Sequence, residues 1–163
     1  MTPQVEQLRR SSRIAFAALA LASAVACSDD PLEVVDEEEE PEIADIHVMT
    51  EGSEAYVSAD GDFVQSGTLT LRRNQQNLVS FIFRGADRDE EAVIANHRDE
   101  FELRPSALLP TSLTFTPAGG SGAVFTATIT PTVAGQVSIP FVLFNTHHGH
   151  PELSRFVVAT VIP

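Results

Sequence analysis

The sequence of 163 residues contains a single cysteine, Cys27, and no tryptophan. No disulfide can form within one chain, so the fold must be held by its hydrophobic core. Basic residues are also scarce, because 10 Lys and Arg stand against 23 Asp and Glu and give a net charge of −13. A chain this acidic repels phosphate backbones and anionic headgroups, which argues against nucleic acid as a partner.

The apolar stretch near the start of the chain is too short to cross a membrane as a helix. It covers residues 14–26, which is 13 residues, whereas a membrane span needs about 20. Arg9, Arg10 and Arg13 precede it, and a positively charged start before a short apolar core is typical of a signal peptide. We therefore expect residues 1–26 to be a signal peptide.

The small residues directly before Cys27, Ala24-Val25-Ala26, resemble the lipobox of bacterial lipoproteins. The resemblance covers residues 1–30, and Ala24 stands where leucine is most usual. It implies cleavage ahead of Cys27, acyl chains on that cysteine, and attachment to the membrane through those chains. The same residues also fit the small-x-small rule of ordinary signal cleavage, in which case Cys27 is an incidental thiol.

The residues that follow Cys27 are densely acidic. Removing residues 1–26, with their three arginines and one glutamate, gives a net charge of −15. Like charges repel and extend a chain, so we expect residues 27–42 to form a disordered tether. Acidic residues behind a lipidated cysteine resemble export signals of surface lipoproteins, and Ser28 resembles the residue that releases lipoproteins to the outer membrane. The resemblance implies an outer-membrane lipoprotein facing the periplasm or the cell surface; a solvated spacer is the alternative.

From residue 43 onward, short alternating stretches separated by turn residues predict strands and hardly any helix. Phe125, Ala127 and Ile129 share one face of such a stretch, and threonines occupy the other. That alternation is typical of a sheet with one solvated side. About eight or nine such strands fit into residues 43–163, which indicates an all-β domain made of a two-sheet antiparallel sandwich.

Several details of these strands follow from particular residues. Residues 67–72 are predicted as one half-buried strand, and residues 78–83, apolar on both faces, as a central strand. The glycine-rich run at 117–122 is predicted to be a hairpin turn. Pro140 cannot donate to a ladder, so its strand is expected to lie at an edge or to carry a bulge.

The stretch from Leu113 to Phe144, with its Thr-Pro-Ala-Gly-Gly and Thr-Val-Ala-Gly turns, resembles bacterial immunoglobulin-like domains. The resemblance implies an all-β, two-sheet antiparallel immunoglobulin-like sandwich after a cleaved signal helix and a disordered acidic linker. The antibody pattern of Cys, Trp and Cys is absent. Such domains serve as adhesive, spacer and ligand-binding modules, so the fold alone does not specify the function.

The sequence contains no nucleophile elbow, no phosphate-binding loop and no His-Glu-x-x-His zinc motif. An enzyme needs a nucleophile or base with an orienting neighbour in a cleft, and no pattern in the chain specifies one. We therefore expect a protein that is not an enzyme.

Histidine is concentrated in one loop, where His147, His148 and His150 precede Glu152. His97 closes an earlier acidic connection. Four predicted strands separate the two loops, so we expect both at the same end of the sandwich. Because imidazole suits zinc and copper, these five residues form a hypothetical transition-metal site, with an ordinary solvated loop as the alternative.

A calcium site is a further hypothesis, because Asp87, Asp89 and Glu90 gather carboxylates in one connection and calcium prefers oxygen ligands. The segment lacks the spacing of an EF-hand, so a solvated acidic loop is the alternative. His47, alone on an early strand, is expected to be structural, and Asp45 on the same face can hold it by a hydrogen bond.

Two function classes therefore remain. The first is a non-catalytic, lipid-anchored extracytoplasmic module that binds a protein partner or acts as a spacer. The second is a metal-binding lipoprotein that uses the histidine loop.

Overall fold

The computed structural model describes residues 43–59, 61–85 and 94–163. Within them the protein is all-β, with a short helical segment at 94–96 and a turn of 3-10 helix at Arg98–Glu100. The ten strands are β1 (Ile43–Thr50), β2 (Ser53–Ser58), β3 (Gln65–Gly67), β4 (Leu69–Arg72), β5 (Asn77–Gly85), β6 (Phe101–Pro105), β7 (Leu113–Ser121), β8 (Val124–Pro131), β9 (Gly135–Asn145) and β10 (His150–Ile162).

The predicted signal peptide, the acidic tether with Cys27, and the calcium candidates Asp87, Asp89 and Glu90 lie outside the described residues. In the ranges that are described, no helix combines the length and the apolar character needed to cross a membrane.

The strands form two sheets. One has six strands in the order β3-β2-β1-β5-β8-β7, and the other has four in the order β4-β10-β9-β6. Neighbours pair antiparallel, except that β4 runs parallel to β10. The prediction of an all-β domain with two sheets is therefore confirmed, as is the central position of β5.

The inner faces of the two sheets share one hydrophobic core. On β5 the alternate residues Val79, Phe81 and Phe83 are fully buried, which is the period-two pattern of a strand. The ring centroids of Phe81 and Phe141 lie 4.9 Å apart, and Phe83 meets Phe125 edge-on at 5.3 Å. Such aromatic pairs add about 0.5–1.5 kcal/mol each beyond the burial of their area, so the rings stabilise a core that no disulfide crosses.

The prediction of one continuous strand at 67–72 is wrong. β3 ends at Gly67 in the six-stranded sheet, and β4 begins at Leu69 in the four-stranded sheet. Gly67 has a φ of 78°, and a Cβ there would lie 2.6 Å from the Glu54 carbonyl oxygen. Only glycine tolerates this conformation and this approach, so Gly67 is where the chain passes from one sheet to the other.

The glycine-rich run at 117–122 is not a hairpin turn, as the sequence had suggested. β7 continues through it to Ser121, and only residues 122–123 connect it to β8. The register shifts between Pro117 and Gly119. A bulge of this kind lets residues that favour turns remain paired within a strand.

Pro140 also departs from its prediction, because β9 is an inner strand between β10 and β6 and its register is regular around Pro140. The pairing with β6 stops at Phe141, and the Pro140 carbonyl accepts a hydrogen bond from Ser106 N beyond the end of β6. The nitrogen of Pro140 faces that same side. The missing N–H therefore removes no ladder bond.

The register defines two ends of the sandwich. At one end, β1 starts opposite Gly85, and β9 ends at Asn145 beside Phe101. We call this the histidine end. It includes Ile43, the 3-10 turn and the loop at 146–149. The opposite end consists of the connections at 51–52, 73–76, 106–112 and 132–134.

The crossing at Gly67 predicts a graded response to alanine. Gly52→Ala should cost about 1 kcal/mol of unfolding free energy, because Gly52 has a φ of 83° but open space around its Cβ position. Gly67→Ala adds a backbone clash and should cost about 2–4 kcal/mol. Urea denaturation of both variants checks the difference. Equal losses would contradict the tight crossing.

Candidate functional site

The two groups of histidines lie side by side at the histidine end. β6 to β9 are the four strands between them, as the strand count predicted. Thr146 joins the groups, because its backbone N–H donates to the Glu100 carbonyl at 2.6 Å and its hydroxyl to the same oxygen at 2.9 Å. The 3-10 turn that follows His97 is thereby bound to the histidine loop.

Asn145 fixes the conformation of the histidine loop. Its side chain is buried, and its Oδ1 accepts hydrogen bonds from the backbone N–H groups of His147 and His148, both at 3.0 Å. The Asn145 carbonyl accepts a further bond from Gly149 N at 2.9 Å. Asparagine favours such turns because its short amide reaches backbone groups two or three residues ahead.

The three imidazoles of the loop lie in series. The ring centroids of His147 and His148 are 5.2 Å apart, and those of His148 and His150 are 5.7 Å apart. His147 and His148 are exposed, whereas His150 is partly buried and its Nδ1 lies 3.3 Å from the Pro151 carbonyl oxygen. The loop therefore presents a local cluster of titratable nitrogens to solvent.

The two remaining residues of the hypothetical metal site, His97 and Glu152, do not join the three imidazoles in a common ligand set. His97 Nδ1 lies 2.9 Å from Glu100 Oε1. Glu152 lies where the β10 register shifts, and one of its carboxylate oxygens is buried without a hydrogen bond. Across the described ranges, no group of three or more His, Cys, Asp or Glu side chains is positioned to hold a metal ion.

His47 has a different partner from the one expected. Its Nε2 lies 3.0 Å from Glu54 Oε2, and its ring stacks on Tyr56 with centroids 4.1 Å apart. Asp45 does not bond to it, because the cross-strand neighbours on β2 are closer than a residue two positions along the same strand. His47 is buried, as a structural residue is expected to be.

A cavity of about 150 Å³ opens between β6 and β7, the edge strands of the two sheets. Arg98, Glu102 and Leu103 line one side, and Gly119, Phe125 and Thr126 line the other. The Arg98 guanidinium carbon lies 3.7 Å from the centroid of the Phe125 ring. Arg98 was not predicted as a site residue, because in the sequence it is simply one of two arginines, with Arg88, in an acidic connection.

Burial also affects the Arg98 side chain. Its Nη1 donates to the Phe101 carbonyl at 2.8 Å, while its Nε is buried without an acceptor. Desolvation lowers the pKa of this guanidinium from its ordinary value, yet an arginine remains charged at neutral pH. The cavity therefore contains a cation that is partly removed from water.

Comparisons with protein-family models, with curated proteins and with solved structures gave no match for this chain.

The turn around Asn145 predicts a test by hydrogen exchange. Asn145→Ala removes the acceptor of two backbone N–H groups and should lower the unfolding free energy by about 1–3 kcal/mol. Exchange at the His147 and His148 amides should accelerate. Asn145→Asp keeps an acceptor oxygen and should preserve their protection. Unchanged exchange in the alanine variant would show that the loop does not depend on this side chain.

Proposed function

We propose that this protein is a lipid-anchored, extracytoplasmic binding or structural module built on an immunoglobulin-like sandwich, and that it is not an enzyme. The strand order carries the proposal. The immunoglobulin arrangement has sheets A-B-E-D and C-F-G, and the order β1-β5-β8-β7 against β6-β9-β10 has the same connectivity. β2 and β3 extend the first sheet beyond strand A, and β4 extends the second beyond strand G.

An aromatic pair also supports the immunoglobulin-like assignment. In antibody domains a disulfide connects strands B and F through the core. The corresponding strands here are β5 and β9, and Phe81 of β5 contacts Phe141 of β9 across the core. Burial of two large rings can stabilise this position without a disulfide, which fits a chain with one cysteine.

The distribution of exposed apolar side chains supports a role in binding. Leu108, at 82%, is the most exposed large apolar side chain of the described residues, and it lies with Val133, 61% exposed, on connections at the opposite end, whereas Val64, 62% exposed, lies at the histidine end. The chain enters the sandwich at Ile43, at the histidine end. Loops at the ends of a rigid sandwich commonly carry recognition, so the end remote from the entry point is the one we assign to a partner protein.

The anchor is tested by partitioning of the expressed protein. Cys27→Ala should remove the acylation site and move the protein from the detergent phase of a phase-separation assay to the aqueous phase. Ser28→Ala leaves the cysteine in place and should stay in the detergent phase. Mass spectrometry of the amino-terminal peptide identifies the acyl chains. Detergent partitioning of Cys27→Ala would overturn the lipid anchor.

The second candidate function is the binding of zinc or copper by His147, His148 and His150 with His97. The observation in its favour is the series of neighbouring imidazoles, with the His97 segment held against their loop by Thr146. Against it, a structural zinc needs four converging ligands, and the described side chains form no such set.

Calorimetric titration of the chain without a histidine tag separates the two candidates. On the first proposal, zinc and copper bind weakly and without defined stoichiometry. Tight binding of one ion that disappears in the double variant His148→Ala, His150→Ala would favour the metal function instead. His47→Ala is a poor control because His47 is buried, so the wild-type chain with magnesium serves as the reference.

A further inference from the structure

The cavity between β6 and β7 contains an arginine with few partners. An arginine side chain has five N–H donors, and Arg98 uses one of them on the Phe101 carbonyl. Over the described ranges, no carboxylate forms an ion pair with it. The guanidinium carbon lies 3.7 Å from the Phe125 ring centroid, and such a cation–π contact restricts the positions of the remaining donors.

Two carboxylates of the same segment, Glu102 and Glu100, are already engaged. Glu102 also lines the cavity, but its Oε2 accepts hydrogen bonds from Arg104 Nε at 2.8 Å and from Arg104 Nη2 at 2.6 Å. Glu100 is paired with His97 at 2.9 Å. The repulsion that Glu102 exerts on an anion is therefore reduced by its own cation, and none of the described carboxylates acts as a counterion of Arg98.

We propose that this cavity binds a carboxylate group carried on a short apolar stem, with Arg98 as the cation that receives it. A guanidinium pairs with a carboxylate through two parallel hydrogen bonds, which are stronger in a partly desolvated site. Phe125 and Leu103 provide apolar surface for the stem, and Thr126, whose hydroxyl donates to the Gly119 carbonyl at 3.1 Å, completes the lining.

The size of the cavity limits the ligand. Pockets for drug-sized molecules measure about 300–1,000 Å³, and this one is about 150 Å³. It accommodates a short carboxylic acid or the acidic end of a peptide side chain. A peptide could approach along β6, because an edge strand offers unpaired backbone groups to an added strand. Both ligands supply the same carboxylate, and the experiment distinguishes them.

The inference goes beyond the proposed function, because Arg98 belongs to the histidine end while the partner surface is assigned to the opposite end, and it does not involve the lipid anchor. Loss of anchoring in Cys27→Ala leaves carboxylate binding unchanged, and loss of carboxylate binding leaves membrane partitioning unchanged. The two proposals can therefore fail separately.

The test is a titration of the ¹⁵N-labelled full chain, followed by the backbone amide signals of Leu103, Gly119 and Thr126. Butyrate should shift these signals in a saturable manner, and butyramide, which has the same shape without the charge, should not. Acetyl-Ala-Glu-Ala-amide against its glutamine counterpart tests the peptide source in the same way. The tighter of the two carboxylates identifies the source.

Three variants assign the effect to Arg98. Arg98→Gln should weaken butyrate binding about tenfold or more. Arg98→Lys keeps the charge but loses the planar guanidinium. Its affinity for butyrate should therefore lie between that of the glutamine variant and that of the wild type. Arg73→Gln removes an exposed arginine at the opposite end and should leave the affinity unchanged.

Equal shifts with butyrate and butyramide, or no saturable shift with any carboxylate, would overturn the proposal. So would butyrate binding that Arg98→Gln leaves intact. The comparison of butyrate with butyramide uses the wild-type chain, so it remains decisive even if Arg98→Gln fails to fold.

Discussion

A single chain has to cover both faces of one hydrophobic core, and its shortest passage between the two sheets is from β3 to β4 at Gly67, where one residue separates the strands. Side chains reinforce the passage from both sheets. The amide of Gln65 bonds to Val158, donating to its carbonyl at 2.9 Å and accepting from its N–H at 2.7 Å. Thr70 N donates to Ser53 Oγ at 2.9 Å. Hydrogen bonds between side chains of one sheet and the backbone of the other thus join the two sheets beside Gly67 and fix their relative position.

The other seam of the sandwich, between β6 and β7, is closed differently. The chain crosses there through the seven-residue connection at 106–112, which lies at the opposite end, and the guanidinium of Arg98 lies over the Phe125 ring at the gap. A charged side chain fills such a gap less completely than apolar groups do, because its donors require polar partners. A cavity therefore remains beside Arg98. The hydrogen bonds near Gly67 hold the two sheets together. The edge between β6 and β7 contains a cation with no ion pair among the described residues, so it is the edge where we place a ligand.

The buried face of a strand could be predicted from the sequence where burial alternates along it. Strand breaks and bulges could not be predicted, because they depend on a partner strand. Phe125, Ala127 and Ile129 of β8 could be assigned to one face because a period of two requires no knowledge of neighbours. The break at Gly67 and the bulge at Gly119 could not be predicted, since both depend on how closely another backbone approaches. The histidine loops could be placed at one end by counting strands. The stacking of Arg98 on Phe125 could not, because the two residues meet only after the sheets have packed.

The parallel pairing of β4 with β10 is the most direct test of the crossing at Gly67, because it requires β4 to lie in the four-stranded sheet. Cross-strand nuclear Overhauser contacts around Leu71 measure it. The account predicts that Leu71 lies opposite Val161 and Thr70 opposite Thr160, with residue numbers rising together along both strands. A continuous hairpin would instead extend the pairing of Gly67 with Ala55 and bring Leu71 opposite Glu51. Contacts of that second kind would contradict the two-sheet crossing at Gly67.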